Sequence, residues 1–277
     1  MPLLGGRPFW VYRAEDPPGE PESDERLNGV FQQLDARYQE ARSGPIGLCV
    51  PVSDPEVMRR RPEAVWLETN LLYAGTQENG TQLRIRYFYD ATVGPGYPNS
   101  PTIAESEAQD YSLPPGFRIE PFRETAAVTP DDVLELWARE GAVPDPREAE
   151  RRVHEVLMVA LDPDDRVAGV STVFLERHSQ LGIDLWNLRA FVSRDQRLAN
   201  LAVRLLWAGS DHLSERFVGG QDRRAGGIIM DIENEGLRRY FNRAFWVYSN
   251  FYFIGENPRG DHVVIHYFPG AEAPIPQ

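Results

Sequence analysis

Between Leu188 and Leu206 the sequence reads LRAFVSRDQRLANLAVRLL. An apolar run ends at Val192, a polar turn follows, and Arg197-Leu198-Ala199-Asn200-Leu201-Ala202 opens a helix. The first amides of a helix have no internal partner, and the helix dipole favours negative charge there. Such a strand-to-helix turn is therefore a place where main-chain N–H groups can cradle a phosphate or diphosphate. Asp184, Asp231 and Glu233 lie on or just after the strands that flank this helix in the chain. A carboxylate in a partly desolvated cleft has its pKa raised toward neutrality, which suits it to accept a proton. The histidines His154, His178, His212, His262 and His266 are scattered without metal-ligand spacing, so no metal is expected. Cys49 sits in an apolar run and reads as a buried, inert thiol; as a single cysteine it excludes an internal disulfide framework. Arg59-Arg60-Arg61 reads as a solvated helix end. Neither a Gly-x-Ser-x-Gly elbow nor a Gly-x-x-x-x-Gly-Lys loop occurs, which disfavours a hydrolase of the first type and a P-loop enzyme.

The elements that position these residues follow from periodicity and turn chemistry. Leu27, Val30, Phe31, Leu34 and Tyr38 recur at helical spacing within Arg26–Ala41. Ile46–Val52 suits a buried strand, and Val65–Ala74 and Gln82–Tyr89 read as strands joined by GTQENGT. The acidic, proline-rich stretch 14–25 reads as an exposed segment, and residues 92–116 fill with Gly, Pro, Ser and acids. The second shift marks the expected boundary between an N-terminal α/β extension, residues 1–112, and a domain over 113–277.

After it come a strand at Phe117–Phe122 and a helix capped by Thr129 with Pro130 in its first turn. A helix over Asp145–Val153 follows. Strands at Val156–Leu161 and Val167–Leu175 flank the turn Asp162-Pro163-Asp164-Asp165. Then come a strand over Leu181–Val192, a helix over Arg197–Leu213, a strand at Gly227–Ile232 and a helix over Glu233–Ala244. Strands at Trp246–Ile254 and His262–Phe268 close the chain. The alternation predicts an α/β (α+β) fold with a mixed sheet flanked by helices. No internal repeat of fixed period is evident.

The chain has 277 residues, 42% hydrophobic and 26% charged, enough apolar material for a sizeable core. Its net charge of -13 argues against a dedicated nucleic-acid binder and would steer cationic partners such as amines. Every basic charge is Arg, and Lys is absent. A coding bias accounts for this, and so does avoidance of lysine modification, since an amine is a nucleophile and guanidinium is not. No stretch approaches the apolar length of a membrane span, and the opening residues lack the pattern of a secretory signal, so a cytoplasmic location is expected.

The turn at Arg197–Ala202 resembles the acyl-CoA-binding motif of the GNAT N-acetyltransferase superfamily, Gln/Arg-x-x-Gly-x-Gly/Ala. Arg197, Asn200 and Ala202 fall on its three defined positions, with Asn in place of the first Gly. The order of elements is also similar: a strand follows this helix, then a helix whose Tyr240-Phe241-Asn242-Arg243-Ala244-Phe245 matches a Tyr-x-x-x-Gly-Phe-like pattern, then two final strands. The similarity spans roughly Phe117 to Phe268.

It implies a GNAT-like acyltransferase domain with acetyl-CoA as acyl donor and no metal. The donor's pyrophosphate would lie on the amides of Arg197, Leu198, Ala199, Asn200, Leu201 and Ala202. The strand end at Phe191 and Val192 would polarise the thioester carbonyl. Tyr240 would protonate the leaving thiolate. Asn234 stands one place from where the family touches the pantetheine arm, and Glu233 occupies that place. The implied activity is direct acyl transfer, acetyl above all, to a primary amine of a small molecule or protein, in a chain compatible with a homodimer. The substituted motif leaves two alternatives: an inactive binding or assembly module, and a transferase using an acyl-carrier or aminoacyl-tRNA donor. The N-terminal extension would supply substrate-binding walls or be a degenerate second half of the same fold.

Overall fold

The computed structural model describes residues 9–12, 21–41, 45–89, 91, 93, 111–197, 201–234, 237–238, 243–246 and 249–275. The chain packs as two compact units that are discontinuous in sequence. One gathers Met1–Glu107, Arg177–Leu185 and Asp231–Gln277, the other Ala108–Glu176 and Trp186–Met230. The boundary expected near residue 112 falls close to the first change of unit at Ala108, yet the first unit also takes in the end of the chain.

The first unit begins with β1 (Trp10–Val11), α1 (Pro21–Ala41), β2 (Gly47–Val52), α2 (Pro55–Arg60), β3 (Val65–Trp66), β4 (Leu71–Thr76) and β5 (Gln82–Tyr87). These strands form one sheet in the order β1-β2-β5-β4-β3, with β1 parallel to β2 and the remaining pairs antiparallel. Leu27, Phe31 and Tyr38, three of the helix positions read from the spacing, are buried on α1. The strand expected over Val65–Ala74 is broken by a turn at residues 67–70, where Asn70 takes φ 51°. Asn tolerates this left-handed conformation better than most residues.

The second unit holds β6 (Arg118–Pro121), α3 (Pro130–Glu140), α4 (Pro146–Arg152), β7 (Val156–Leu161), α5 (Leu201–Val218) and most of β8 (Val167–His178), β9 (Ile183–Val192) and β10 (Gly227–Ile232). Its strands run in the order β6-β7-β8-β9-β10, antiparallel at β6-β7-β8 and parallel between β9 and β10. Thr129 caps α3 as expected. Its Oγ1 accepts from the Asp132 N–H at 3.4 Å, and Asp132 returns a bond from the Thr129 N–H at 2.7 Å. Gly141 ends the same helix at φ 65°. The helix expected from Arg197 is found from Leu201, preceded by a 3-10 turn at Arg194–Gln196. Leu201 and Leu205 of α5 are fully buried against Met158, Ala160, Ala168 and Val192.

The chain returns to the first unit with β11 (Phe245–Trp246), β12 (Phe251–Glu256) and β13 (His262–Tyr267), paired in that order and antiparallel. Of the helix expected over Glu233–Ala244, Leu237 and Arg238 are helical while Arg243 and Ala244 are not; residues 235–236 and 239–242 lie outside the described residues.

An internal repeat, not evident along the sequence, appears here. The bounds of β2, β3, β4 and β5 recur 180 positions later as those of β10, β11, β12 and β13. Asn70 and Asn250 both take φ 51°, and Gly80 and Gly260 take φ 82° and 80°. The pairing Leu72↔Ile85 recurs as Tyr252↔Ile265. Among the described residues, 47–87 thus repeat 227–267 in strand order and register, whereas before Gly47 the shift of 180 does not hold: β1 pairs Trp10 with Leu48, but β9 pairs Trp186 with Ile228.

Candidate acyl-donor site

In the second unit, the parallel register of β9 and β10 pairs Trp186 with Ile228 and Asn187 with Ile229, and goes no further. β9 nevertheless continues to Val192. On its other edge it stays bonded: the Ser193 N–H donates to the Ala168 carbonyl at 2.9 Å. Successive N–H groups of an extended chain point to opposite edges. The Val192 amide therefore faces away from β8, on the edge where β10 has parted from β9. Phe191, by the same alternation, directs its amide toward β8.

Gly169 on β8 allows this strand end to sit where it does. A Cβ there would lie 2.7 Å from the Phe191 carbonyl oxygen and 3.1 Å from Leu205 Cδ1. Downstream, Glu140 holds the turn: its Oε2 accepts from the Arg194 N–H at 3.1 Å, and its side chain is only 6% exposed. The Gln196 N–H donates to the Ser193 carbonyl at 3.1 Å. Arg197 is exposed, and the first turn of α5 contains no acidic residue. A strand with a free amide edge leading to a helix start without acids, beside an exposed guanidinium, is chemically suited to an anion. Leu198, Ala199 and Asn200 lie outside the described residues; Leu201 is buried and Ala202 half-buried.

In the first unit, Asp231 and Glu233 are drawn into a charge cluster around Arg259. Arg259 Nη2 donates to Glu233 Oε1 at 3.0 Å and lies 3.6 Å from Asp231 Oδ2, while its Nε is 3.0 Å from Asp261 Oδ2. Asn257 Nδ2 donates to Asp231 at 3.0 Å and to Asp261 at 3.1 Å. The guanidinium of Arg259 is held above its ordinary pKa, chiefly by the bond to Glu233. Glu233 is exposed, so its surroundings are an ion pair in solvent rather than the desolvated cleft that the sequence suggested; Asp231 is half-buried. Asp184 makes an exposed pair with Arg177 at 3.2 Å. Asn234 accepts from the Leu237 N–H at 3.0 Å through Oδ1, a helix-capping contact. Tyr240 lies outside the described residues. No group of His, Cys, Asp and Glu able to hold a metal occurs among the described residues.

One feature was not anticipated by sequence reasoning. A cavity of about 1010 Å³ opens in the first unit, lined by Trp66, Asn70, Arg86, Phe88, Tyr252 and His266 among others, and by none of the expected site residues. The Arg86 guanidinium lies 3.6 Å from the Phe31 ring centroid and that of Arg61 4.4 Å from the Trp66 ring, so two cations are stacked on aromatic faces at its wall. Asn70 and Asn250, and Arg86 and His266, are repeat-related pairs that meet there; the repeat itself was the signal that could have found it.

No protein-family model matches the sequence, and no curated protein matches it. Solved structures similar to part of the chain include GNAT-family acetyltransferases. A GNAT-family acetyltransferase from Streptococcus pneumoniae shares 12% identity over 55% of this chain and 99% of its own, with a TM-score of 0.38. Aminoglycoside 6'-acetyltransferase type Ii shares 17% over 54% and 96%, with a TM-score of 0.37. A GNAT-family acetyltransferase from Brucella melitensis, solved with acetyl-CoA, shares 19% over 58% and 93%, with a TM-score of 0.34. Among the described residues, no helix is long and apolar enough to cross a membrane.

Proposed function

We propose that the chain is an N-acyltransferase that moves an acetyl group from acetyl-CoA to a primary amine by direct attack in a ternary complex. The observation that carries this reading is the parting of β9 from β10 after Asn187 and Ile229, with the Val192 amide on the open edge. The residues fit the donor: a diphosphate takes the amides at the start of α5 and the charge of Arg197, and the thioester carbonyl takes the Val192 N–H.

The amine nitrogen attacks the carbonyl carbon, and the resulting oxyanion is held by that N–H. The C–S bond then breaks, and the Tyr240 phenol gives its proton to the thiolate. The ammonium proton passes to water. The net charge of -13 favours cationic acceptors.

The test is a thermal-shift titration with acetyl-CoA on the parent and on Arg197→Glu, followed by thiol release over an amine panel. A ligand bound only by the folded state raises the melting temperature as its concentration passes Kd. The parent should shift upward, and the variant should shift much less. A parent that shows no shift at millimolar acetyl-CoA overturns the reading and leaves a binding or assembly module.

A further inference from the structure

Both copies of the repeat build the cavity of the first unit. Val65 and Phe245, and Arg86 and His266, line it as pairs 180 positions apart, all within strands whose register repeats. The pairs are alike in place and unlike in chemistry. The first copy carries Arg84 and Arg86 on β5, where the second has Val264 and His266 on β13. The second carries Phe245 and Tyr252, where the first has Val65 and Leu72. Cationic character thus comes from one copy, and the other adds a pair of aromatic rings.

By count the charges on the wall cancel, Arg60, Arg61 and Arg86 against Asp35, Glu63 and Glu68, but their partners differ. Glu68 is taken up by Arg61, which also donates to Asp24 at 3.0 Å. Asp35 Oδ1 accepts from Gln39 Nε2 at 3.2 Å and from the Tyr89 N–H at 2.8 Å, and Glu63 is exposed. Arg86 is half-buried against Phe31, and both its hydrogen bonds run from Nη1, to Asn28 Oδ1 at 2.7 Å and to the Thr69 carbonyl at 3.0 Å. Neither acceptor is a carboxylate, and Nε and Nη2 are left for a ligand. Burial lowers the pKa of this guanidinium although the charge of Asp35 opposes the shift.

A second cation without a carboxylate lies against Trp66. Arg84 is fully buried with its guanidinium 4.4 Å from that ring. It donates to the Glu63 and Ala64 carbonyls at 2.7 and 3.2 Å and to Gln82 Oε1 at 2.8 Å, while its Nε has no partner. Burial lowers its pKa to about 10, so it stays charged at neutral pH. Two guanidinium groups two residues apart on β5, neither bonded to a carboxylate, favour an anion at this wall. From the second copy, the Phe245 and Tyr252 rings are stacked with centroids 4.6 Å apart at 26°. A cavity of about 1010 Å³ with aromatic walls and a few fixed polar groups has the usual form of a small-molecule site. A guanidinium fork takes a carboxylate through paired hydrogen bonds, and stacked rings take a planar ring.

We propose that this cavity binds a small aromatic acid, its carboxylate on the Arg86 guanidinium and its ring against Phe245 and Tyr252. None of the residues assigned to acetyl-CoA lines the cavity, so binding of the acid does not depend on acyl transfer.

The test is calorimetry on the full chain with 2-naphthoate as probe, beside 2-naphthamide, which keeps the shape without the charge, and 2-naphthylmethylamine, which reverses it. Naphthoate should saturate at one per chain and bind about tenfold or more tightly than the amide, the weight of a charged hydrogen bond. Arg86→Met should bring naphthoate down to the affinity of the amide and leave the amide unchanged. Tyr252→Ala should weaken both. Absence of saturable naphthoate binding overturns the site, and equal affinity for naphthoate and amide in the parent overturns the ligand class. Tighter binding of the amine overturns it too, giving the cavity to a cation. If Arg86→Met does not fold, the parent's preference and Tyr252→Ala decide, since unchanged naphthoate binding in that variant puts the probe outside the cavity and overturns the proposal.

Discussion

Tyr87 and Tyr267 stand 180 positions apart, and each donates its hydroxyl to a main-chain carbonyl of the other copy, Phe253 and Tyr73 respectively. Both rings are buried, and burial pushes both phenols above their ordinary pKa. Neither hydroxyl titrates in the physiological range, and both remain donors. Removing either leaves a buried carbonyl short of a partner, which costs about 1–3 kcal/mol. Tyr87→Phe and Tyr267→Phe should therefore lower the urea midpoint by comparable amounts at unchanged slope. A loss confined to one of them would show that the two halves of the interface are not equivalent.

Gly169→Ala should act on the donor site rather than on the fold at large. The new methyl would press on the Phe191 carbonyl and on Leu205, so either β9 or α5 must give way. Overpacking of this kind costs about 1–3 kcal/mol. Acetyl-CoA affinity should fall with it, because the shifted strand end carries the Val192 amide. Unchanged stability and affinity would mean that the backbone there is looser than the close approach indicates.

Tyr240→Phe should lower kcat about a hundredfold, the usual weight of a general acid, with KM for acetyl-CoA nearly unchanged. Thiol release followed with a chromogenic disulfide is a direct assay. Equal activity in the variant would remove the phenol from the mechanism and leave solvent to protonate the thiolate.

Cys49 is buried on β2, and desolvation pushes its thiol up to about 11. The folded state therefore holds this proton more tightly than the unfolded chain does. The resulting stability is fully present below the unfolded thiol's pKa and is lost as pH rises from about 9 toward 11. The parent should lose more stability than Cys49→Ala over that interval in urea titrations. At pH 8 a thiol reagent should label the protein only in denaturant.

Much of the order of elements was legible along the chain because local chemistry dictates it. Thr129 and Pro130 start α3 through capping geometry that any folded context preserves. The turn Asp162–Asp165 is closed by Asp162, whose side chain accepts from the Asp164 and Arg166 N–H groups at 2.9 Å, and no distant residue is needed. Cys49 was readable as buried because it lies in a continuous apolar run.

What the sequence determined by itself, then, was the succession of strands and helices from Phe117 to the strand Gly227–Ile232, with the strand end at Val192. Tertiary structure decided the rest. The repeat was hidden because burial tolerates exchanges such as Leu71 for Phe251 or Arg84 for Val264, leaving mainly turn and interface residues alike. The capture of Asp231 and Glu233 by Arg259, some 26 positions on from Glu233, depends on β10 and β13 folding into place, which no local pattern encodes. Likewise, whether a strand amide is free or bonded, as for Val192 and Tyr12, is a property of the neighbouring strand's course rather than of the residue's own type.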